Sequence, residues 1–300
     1  MTSVGRWLCG LLCLAALGEF GVRYMGWVDV PLFVQDAQIG YLPAPSQAGS
    51  FMRRNEWAFN ELGMGTKLRF QPGPERDLLL MGDSIVYGGP HYAEGERLGP
   101  LLEKHLPGAK VWPVAAGSWA VRNQLAWLRR HPGVVRQVDD IVFVVTSEDL
   151  TPVAASWHCE SNHPTHRPWF ALGYLAIKGL HLDACDQTRP EHRVPDGIAQ
   201  QELRAWLDSA EAKDKRVTFV LYPFKGPLAS AGQAANEPER QVLASVGIQP
   251  ACELARHSLW HPNLYKDDAH PTPQGNRILA QWVAQAMLGH CNSAAPRAFS

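Results

Sequence analysis

The chain has 300 residues, of which 46% are hydrophobic and 19% are charged, and this is enough apolar material to bury one large core. Its formal net charge is −1 and it has no run of lysine or arginine, so nucleic acid is excluded as an expected partner. We therefore expect a globular protein of one or two domains.

An apolar segment lies at the N-terminus, where Arg6 precedes the run WLCGLLCLAALG at 7–18. The run matches the apolar region of a signal peptide better than a full membrane span of about 20 residues. We assign residues 1–27 to a signal peptide, with Ala16 and Gly18 as the small residues of its cleavage site, or to an uncleaved membrane anchor. Either form predicts a periplasmic protein, soluble or held at the inner membrane. A buried helix of a cytosolic protein is the less favoured alternative.

Four cysteines follow this segment, at Cys159, Cys185, Cys252 and Cys291. An even number of cysteines in an oxidising compartment predicts two disulfides. The sequence allows several pairings, of which we favour the neighbours, Cys159 with Cys185 and Cys252 with Cys291.

Residues 28–75 are rich in turn residues and show little periodicity, which predicts an extended arm laid over a domain. Four apolar runs follow: DLLLMG at 77–82, VWPVAA at 111–116, IVFVVT at 141–146 and RVTFVLYPF at 216–224. Valine, leucine and phenylalanine without polar alternation indicate strands buried on both faces, as in a parallel sheet covered by helices. With helical segments between the runs, residues 76–290 are predicted to form an α/β domain, followed by a tail at 291–300.

Two helices carry clear start signals. DGIAQQELRAWL is predicted to begin after an Asp196 cap, and TPQGNRILAQWVAQAML is predicted to begin with Thr272 as the cap and Pro273 in the first turn. The second helix is expected to end near Gly289.

Ser84 follows the first apolar run, in the stretch LLLMGDSIVYGG. Small polar residues commonly end buried strands, so Ser84 alone is either a turn residue or a nucleophile. Ligands of open α/β sheets bind beyond the carboxyl ends of the strands, and Gly117, Glu148 and Asp149 follow later strands in the same way.

A candidate base lies in LYKDDAHPTPQGNRILA, just before the last helix. Asp267 and His270 are three residues apart, so the carboxylate can accept from one imidazole nitrogen while the other nitrogen faces a serine. A surface turn is the alternative for this loop alone, but the combination with Ser84 favours catalysis.

These motifs resemble those of a known family. GDS at 82–84, the glycine at Gly117, a polar pair after the third strand and DxxH at 267–270 are similar to the ordered blocks of the SGNH, or GDSL-type, hydrolases. The resemblance implies a three-layer α/β/α sandwich with a flavodoxin-like parallel sheet, and it implies Ser84 as nucleophile with His270 and Asp267 completing a triad. The arm, with IGYLP and NEWAFNELGM, resembles anchored members of bacterial exopolysaccharide systems.

An acyl-transfer site also needs donors for the tetrahedral oxyanion, and we expect the backbone N–H groups of Ser84 and Gly117 to serve. The family has asparagine in its third block, GxND, whereas TSED at 146–149 puts Glu148 at that position. An ionised carboxylate cannot donate a hydrogen bond, so Glu148 is a doubtful third donor. Ser147 could replace it, or Arg122 could neutralise it.

The stretch WHCESNHPTHRPW gathers His158, Cys159, His163 and His166. Its spacing matches no standard zinc pattern, so we predict no metal there. The surrounding region, 155–195, is long for a loop and either covers the site or is a packing insertion.

The sequence thus predicts an exported serine esterase that removes small O-acyl groups, such as acetyl from a polysaccharide, through an acyl-enzyme and without a cofactor. An O-acyltransferase with the same triad is an alternative, because water and a sugar hydroxyl can both accept the acyl group. A catalytically inactive carbohydrate-binding module is the second alternative. The expected partner is an acylated small molecule or polysaccharide.

Overall fold

In a computed structural model of the protein, residues 3–147, 149–182, 185 and 190–291 are described. The strands are β1 (Phe33–Asp36), β2 (Gly40–Pro43), β3 (Gln47–Phe51), β4 (Asn55–Phe59), β5 (Arg76–Gly82), β6 (Ala109–Ala115), β7 (Asp140–Thr146), β8 (Arg216–Tyr222) and β9 (Cys252–Glu253). The α-helices are α1 (Ser3–Tyr24), α2 (Ser84–Tyr87), α3 (Leu98–His105), α4 (Val121–Arg130), α5 (Pro132–Gln137), α6 (Ala171–Gly179), α7 (Ala199–Leu207), α8 (Ala210–Lys213), α9 (Lys225–Ala231), α10 (Glu237–Ser245) and α11 (Pro273–Leu288).

Strands β5 to β9 form one parallel sheet in the spatial order β6-β5-β7-β8-β9. The first strand of the set lies between the second and the third, which is the flavodoxin-like order of doubly wound sheets. The predicted α/β fold with a flavodoxin-like parallel sheet is confirmed. The two-residue strand β9 has no counterpart among the predicted strands, because a run this short carries no periodic signal.

Helices cover both faces of this sheet. On one face, Leu79, Ile141 and Phe219 pack with α4, α5, α7 and α10. On the other, Leu78, Val142 and Val220 pack with α3, α9 and α11. Both faces are therefore buried, which explains why the strand sequences lack polar alternation.

Of the two helix caps predicted from sequence, one is confirmed and the other is wrong. Thr272 caps α11 by accepting from the Gly275 N–H at 3.1 Å, and Gly289 ends the helix in the left-handed conformation. Asp196 is not a cap, because α7 begins at Ala199 after an extended Ile198. The chain around Asp196 is held extended instead, with the Pro195 carbonyl accepting from Arg122 at 2.9 Å.

The arm at 28–75 has more regular structure than the sequence predicts. It forms two antiparallel hairpins, β1 with β2 and β3 with β4. Gly40 begins β2 with φ of 89°, and a Cβ there would lie 1.9 Å from the Ala155 carbonyl oxygen, so only glycine fits. Its neighbours Ile39 and Tyr41 are fully buried, and the arm therefore belongs to the core.

Helix α1 has 22 residues and a mean hydropathy of 1.3 in its most apolar window, and within the described residues it is the one helix long and apolar enough to cross a membrane. Its C-terminal half contacts α6. The Glu19 carboxylate accepts from the backbone N–H groups of Ala171 and Leu172 at 2.9 and 3.0 Å. Arg23 donates to the carbonyls at 168 and 169 at 2.8 and 2.7 Å. One side chain of α1 thus caps the N-terminus of α6.

Disulfides join Cys159 to Cys185 and Cys252 to Cys291, the pairing that the sequence favours. The first closes the insertion after β7, and the second ties β9 to the residues that follow α11. Cys9 and Cys13 in α1 are free and exposed.

We expect full-length protein isolated from an oxidising compartment and denatured without reductant to titrate two thiols, because only the α1 cysteines are unpaired. After reduction it should titrate all six. Ellman titration with and without reductant measures this, and finding six thiols before reduction would contradict both disulfides.

Candidate active site

Three side chains from distant parts of the chain meet at the carboxyl end of the sheet. Ser84 is the first residue of α2, directly after β5, and its Oγ lies 2.9 Å from Nε2 of His270. Both carboxylate oxygens of Asp267 lie 3.0 Å from Nδ1 of the same imidazole. The structure thus gives a continuous hydrogen-bonded chain from a hydroxyl through an imidazole to a carboxylate.

Asp267 is held by its own loop as well as by the imidazole. Its Oδ1 accepts from the backbone N–H groups of Ala269 and His270 at 3.0 and 2.7 Å. Partial burial raises the pKa of Asp267, but these hydrogen bonds and the neighbouring imidazole offset that effect, so the net pKa lies below the usual value. The group is therefore an acceptor-only carboxylate at neutral pH, and it orients Nδ1 as the protonated nitrogen.

The loop that carries His270 is fixed by two tyrosines. The Tyr222 hydroxyl, at the end of β8, donates to the Ala269 carbonyl at 2.6 Å. The Tyr92 hydroxyl donates to the Pro271 carbonyl at 2.5 Å. Thr272 then starts α11, so the imidazole is held between a strand end and a helix cap.

Two of the predicted oxyanion donors lie at this site. Ser84 and Gly117 follow neighbouring strands, β5 and β6, and both line the cleft that contains His270. In the part of the chain that the structure describes, neither backbone N–H donates a hydrogen bond. Both groups are therefore available to a developing negative charge.

Glu148, the doubtful third donor, lies outside the described residues, and its role stays a prediction from sequence. The suggested charge partner is engaged elsewhere: Arg122 donates to Glu202 at 2.6 Å and to the Pro152 carbonyl at 2.6 Å. Neutralisation of Glu148 by Arg122 stays a prediction from sequence. The Ser147 hydroxyl oxygen accepts from the Phe224 N–H at 3.2 Å, and Ser147 as a third donor stays a prediction from sequence.

Two buried carboxyl groups lie beneath the nucleophile, and sequence reasoning did not find them as a pair. The Thr146 hydroxyl donates to the Asp83 carboxylate at 3.1 Å, and the Thr146 backbone N–H donates to the Asp149 carboxylate at 2.8 Å. Burial raises the pKa of Asp83 to about 6. Burial, and secondly the charge of Asp83, raise the pKa of Asp149 well above its usual value. The pair is therefore unfavourable when both members are ionised.

We expect Asp149→Asn to flatten the dependence of stability on pH. In the wild type the folded acids bind protons that the unfolded chain has already released above its pKa of about 3.9, so stability falls as pH rises from about 4 to 7. An amide cannot ionise and removes this loss. Relative to the variant, the wild type should lose more unfolding free energy as the pH rises above about 4, because the pKa of Asp149 is raised in the folded state.

Urea unfolding at each pH measures this difference, with Asp268→Asn, an exposed neighbour of the triad, as the control. Parallel pH curves for the wild type and Asp149→Asn would show that the two acids do not interact.

The arm and the insertion after β7 form the wall next to Gly117, a contact that no local sequence pattern predicts. The Tyr41 hydroxyl donates to the Gly117 carbonyl. The His163 ring lies 4.1 Å from the Tyr41 ring and 4.9 Å from the Phe33 ring, centroid to centroid. Burial lowers the pKa of His163 to about 4, so this imidazole is neutral at pH 7. His163 thus acts here as a packed wall residue.

The histidine-rich stretch shows no metal-binding arrangement. Within the described ranges no three histidine, cysteine, aspartate or glutamate side chains are placed to hold a metal ion. Cys159 is bonded to Cys185.

Two clefts meet at Ser84 and His270. The first, of about 330 Å³, is lined by Phe33, Tyr174 and Lys178 among others. The second, of about 460 Å³, is lined by residues that follow β6, β7 and β8, which include Ser118, Ser147 and Phe224. Both volumes are in the range of small-molecule sites. A group bound to Ser84 can therefore extend into either cleft, and a second molecule can occupy the other.

Comparison with known proteins gives distant structural likeness only. No protein-family model matches the chain, and no curated protein matches it significantly. Among solved structures it is similar to a member of the lipolytic protein G-D-S-L family from Veillonella parvula (10% identity, TM-score 0.39, covering 71% of this chain and 97% of that one). It is also similar to the esterase EstA from Pseudoalteromonas sp. (12%, 0.41, 73% and 100%). A third is the C-terminal catalytic domain of peptidoglycan O-acetyltransferase A from Streptococcus pneumoniae (13%, 0.35, 73% and 96%). At these scores and identities the matches assign no activity, and the function proposed below rests on the site.

Proposed function

We propose that the protein is a serine-dependent acyl-transfer enzyme that hydrolyses carboxylic esters. The observation that carries this proposal is the hydrogen-bonded chain from Ser84 Oγ through His270 to the Asp267 carboxylate, with contacts of 2.9 and 3.0 Å. A free serine hydroxyl attacks poorly, and this arrangement supplies the base and the group that orients it.

The reaction follows from the geometry. His270 Nε2 takes the Ser84 proton as Oγ attacks the ester carbonyl, and Asp267 stabilises the resulting imidazolium. The backbone N–H groups of Ser84 and Gly117 stabilise the tetrahedral oxyanion. His270 then returns the proton to the departing alcohol, which leaves an acyl group on Ser84. Water attacks this ester in the second half, with His270 again as base.

A second candidate, O-acyltransferase, is supported by the two clefts that meet at Ser84. One cleft can hold the acyl donor while the other holds a sugar hydroxyl that replaces water. The same acyl-enzyme serves both reactions, so they share all three triad residues. Small O-acyl groups such as acetyl on a polysaccharide are the proposed substrates in either case.

Labelling with a fluorophosphonate tests the proposal, because only an activated serine reacts. We expect one adduct, on the peptide that contains Ser84. Turnover of 4-nitrophenyl acetate, with and without an acceptor oligosaccharide, then separates hydrolysis from transfer by whether acetate or acetylated sugar forms. A protein that neither reacts with the probe nor releases nitrophenol would be a non-catalytic module.

We also propose that the protein is exported and held in the membrane by α1. Glu19 and Arg23 make their contacts with residues 168–172 from the last turns of α1, and cleavage after Gly18 would leave these turns without the helix that precedes them. A Cβ at Gly18 would lie 3.1 Å from the Leu172 side chain, so the two elements approach closely at a small residue. An arginine at position 6 and the apolar run after it fit an anchor with its N-terminus in the cytoplasm.

Intact mass measurement of protein extracted from membranes is expected to show the α1 residues still present. A soluble periplasmic form that begins at Glu19 would contradict the anchor while leaving the proposed chemistry in place. Glu19→Gln is expected to weaken the capping of α6 and to lower the thermal midpoint, since the amide has one acceptor oxygen for the two N–H groups that Glu19 holds.

A further inference from the structure

Two lysines from different elements line the cleft that contains Ser84 and His270. Lys178 lies near the end of α6, and Lys266 directly precedes the triad aspartate. Each ammonium lies near an aromatic ring: Lys266 Nζ is 4.0 Å from the Tyr92 ring centroid and Lys178 Nζ is 5.9 Å from the Tyr174 ring centroid. Contact with an aromatic ring thus keeps each ammonium group at the cleft.

The cleft supplies no free carboxylate to balance these charges. Of the lining residues that the structure describes, only Asp267 is acidic, and that carboxylate is engaged by the imidazole and by two backbone N–H groups. Within the described ranges neither Lys178 nor Lys266 forms a salt bridge. Among the described lining residues, two lysines therefore face a single carboxylate, Asp267, which already serves the imidazole.

Both lysine ammonium groups at the cleft are partly desolvated. The protein atoms packed around each ammonium lower its pKa, because they replace part of the water that stabilises the charge. Burial, and then both lysines, lower the pKa of His91, which lines the same cleft. An anion bound between these groups would reverse each of these effects.

We propose that this cleft binds an ester substrate that carries a negative charge close to the ester, with Lys178 and Lys266 as the groups that recognise it. The substrate class is an O-acylated acidic glycan or another acyl ester with an anionic neighbour. Lysine recognises an anion as a point charge, so carboxylate and phosphate share this chemistry. The inference rests on the proposed acyl-transfer function and specifies its substrate.

Matched substrates isolate the charge. Acetylated oligogalacturonide carries carboxylates, and the same oligomer with its carboxyls methyl-esterified is neutral. We expect Lys178→Gln to lower the ratio of kcat/KM between the acidic and the neutral oligomer by about tenfold, mainly through KM, which corresponds to about 1.4 kcal/mol. Lys266→Gln should also lower this ratio of kcat/KM. Lys178→Arg keeps the positive charge and should keep most of the wild-type ratio. Lys213→Gln, on exposed α8, is the matched control and should leave the ratio at the wild-type value.

A third substrate, acetylated glucose 6-phosphate, distinguishes phosphate from carboxylate as the preferred anion. Raising the salt concentration should reduce the wild-type preference, since the lysines are open to solvent. A ratio that does not change in Lys178→Gln, or a wild type that prefers the neutral oligomer, would overturn the proposal.

Binding separates this proposal from the proposed function. Titration calorimetry of Ser84→Ala with unacetylated oligogalacturonide needs no turnover, and Lys178→Gln in that background should weaken binding by about tenfold. Binding without ester turnover in the wild type would keep the subsite and reject the enzyme. Turnover without any preference or binding for the acidic oligomer would reject the subsite and keep the enzyme.

Discussion

Ser84→Ala is expected to lower kcat for ester hydrolysis by at least about 10⁴-fold and to leave the fold intact. The hydroxyl is the only group that contacts His270 Nε2 among the described side chains, at 2.9 Å, so no other nucleophile can take its place. Alanine removes one oxygen and leaves the Asp83 cap of α2 untouched. Steady-state turnover of an aryl acetate measures the loss, and circular dichroism with a thermal midpoint checks the fold.

Two comparisons sharpen this prediction. The double variant Ser84→Ala/His270→Ala should be no slower than Ser84→Ala, because the two residues act as one unit. Ser230→Ala, on exposed α9, should retain wild-type turnover and fluorophosphonate labelling. Turnover of Ser84→Ala within tenfold of the wild type would remove Ser84 from the mechanism.

Asp267→Asn is expected to lower kcat by about 10³-fold with little change in KM. The amide can donate to His270 Nδ1, which leaves the proton on Nε2, where the imidazole can no longer accept from Ser84. The expected loss is smaller than for Ser84 because the Asp267 side chain is 49% exposed and water can partly replace it.

Asp268→Asn is the matched control, since it makes the same chemical change one residue away. The Asp268 side chain has no contact with the imidazole in the described structure, and its backbone carbonyl accepts from the Lys225 N–H at 2.9 Å. We expect it to keep wild-type kcat. Equal losses in the two variants would mean that the loop needs its negative charge in general and has no specific orienting aspartate.

The sheet could be predicted from the sequence because its strands are buried on both faces. Residues 78–81 are fully buried and apolar without interruption, and the same holds for most of β7. Such runs have one simple physical cause, a parallel sheet between two layers of helices. Helix starts were predictable where the cap bonds locally, as Thr272 does, and were missed at Asp196, where Arg122 holds the chain extended from far along the sequence.

The same division applies to the candidate site. Ser84, Asp267 and His270 could be proposed from sequence because each follows from a strand end or from a spacing of three residues. The contact of Tyr41 with Gly117, 76 residues away, carries no local pattern. Nor does the pairing of Asp83 with Asp149, since it depends on the side-by-side placement of β5 and β7. Tertiary contacts of this kind appear only once the sheet order is known.

Helix α6 contacts the N-terminal helix α1 at one end and lines the cleft beside Ser84 with other residues. Glu19 of α1 holds its first turn, while Tyr174 and Lys178 line the cleft beside Ser84. Its nine residues span about 14 Å, so in the proposed anchored form Ser84 would lie within a short distance of the bilayer surface. For the proposed polysaccharide substrate, supply would then depend on how many acylated chains pass through that thin layer, and less on their amount in the whole compartment. Releasing the same domain from the membrane would change how often it meets a chain without altering one contact at the triad.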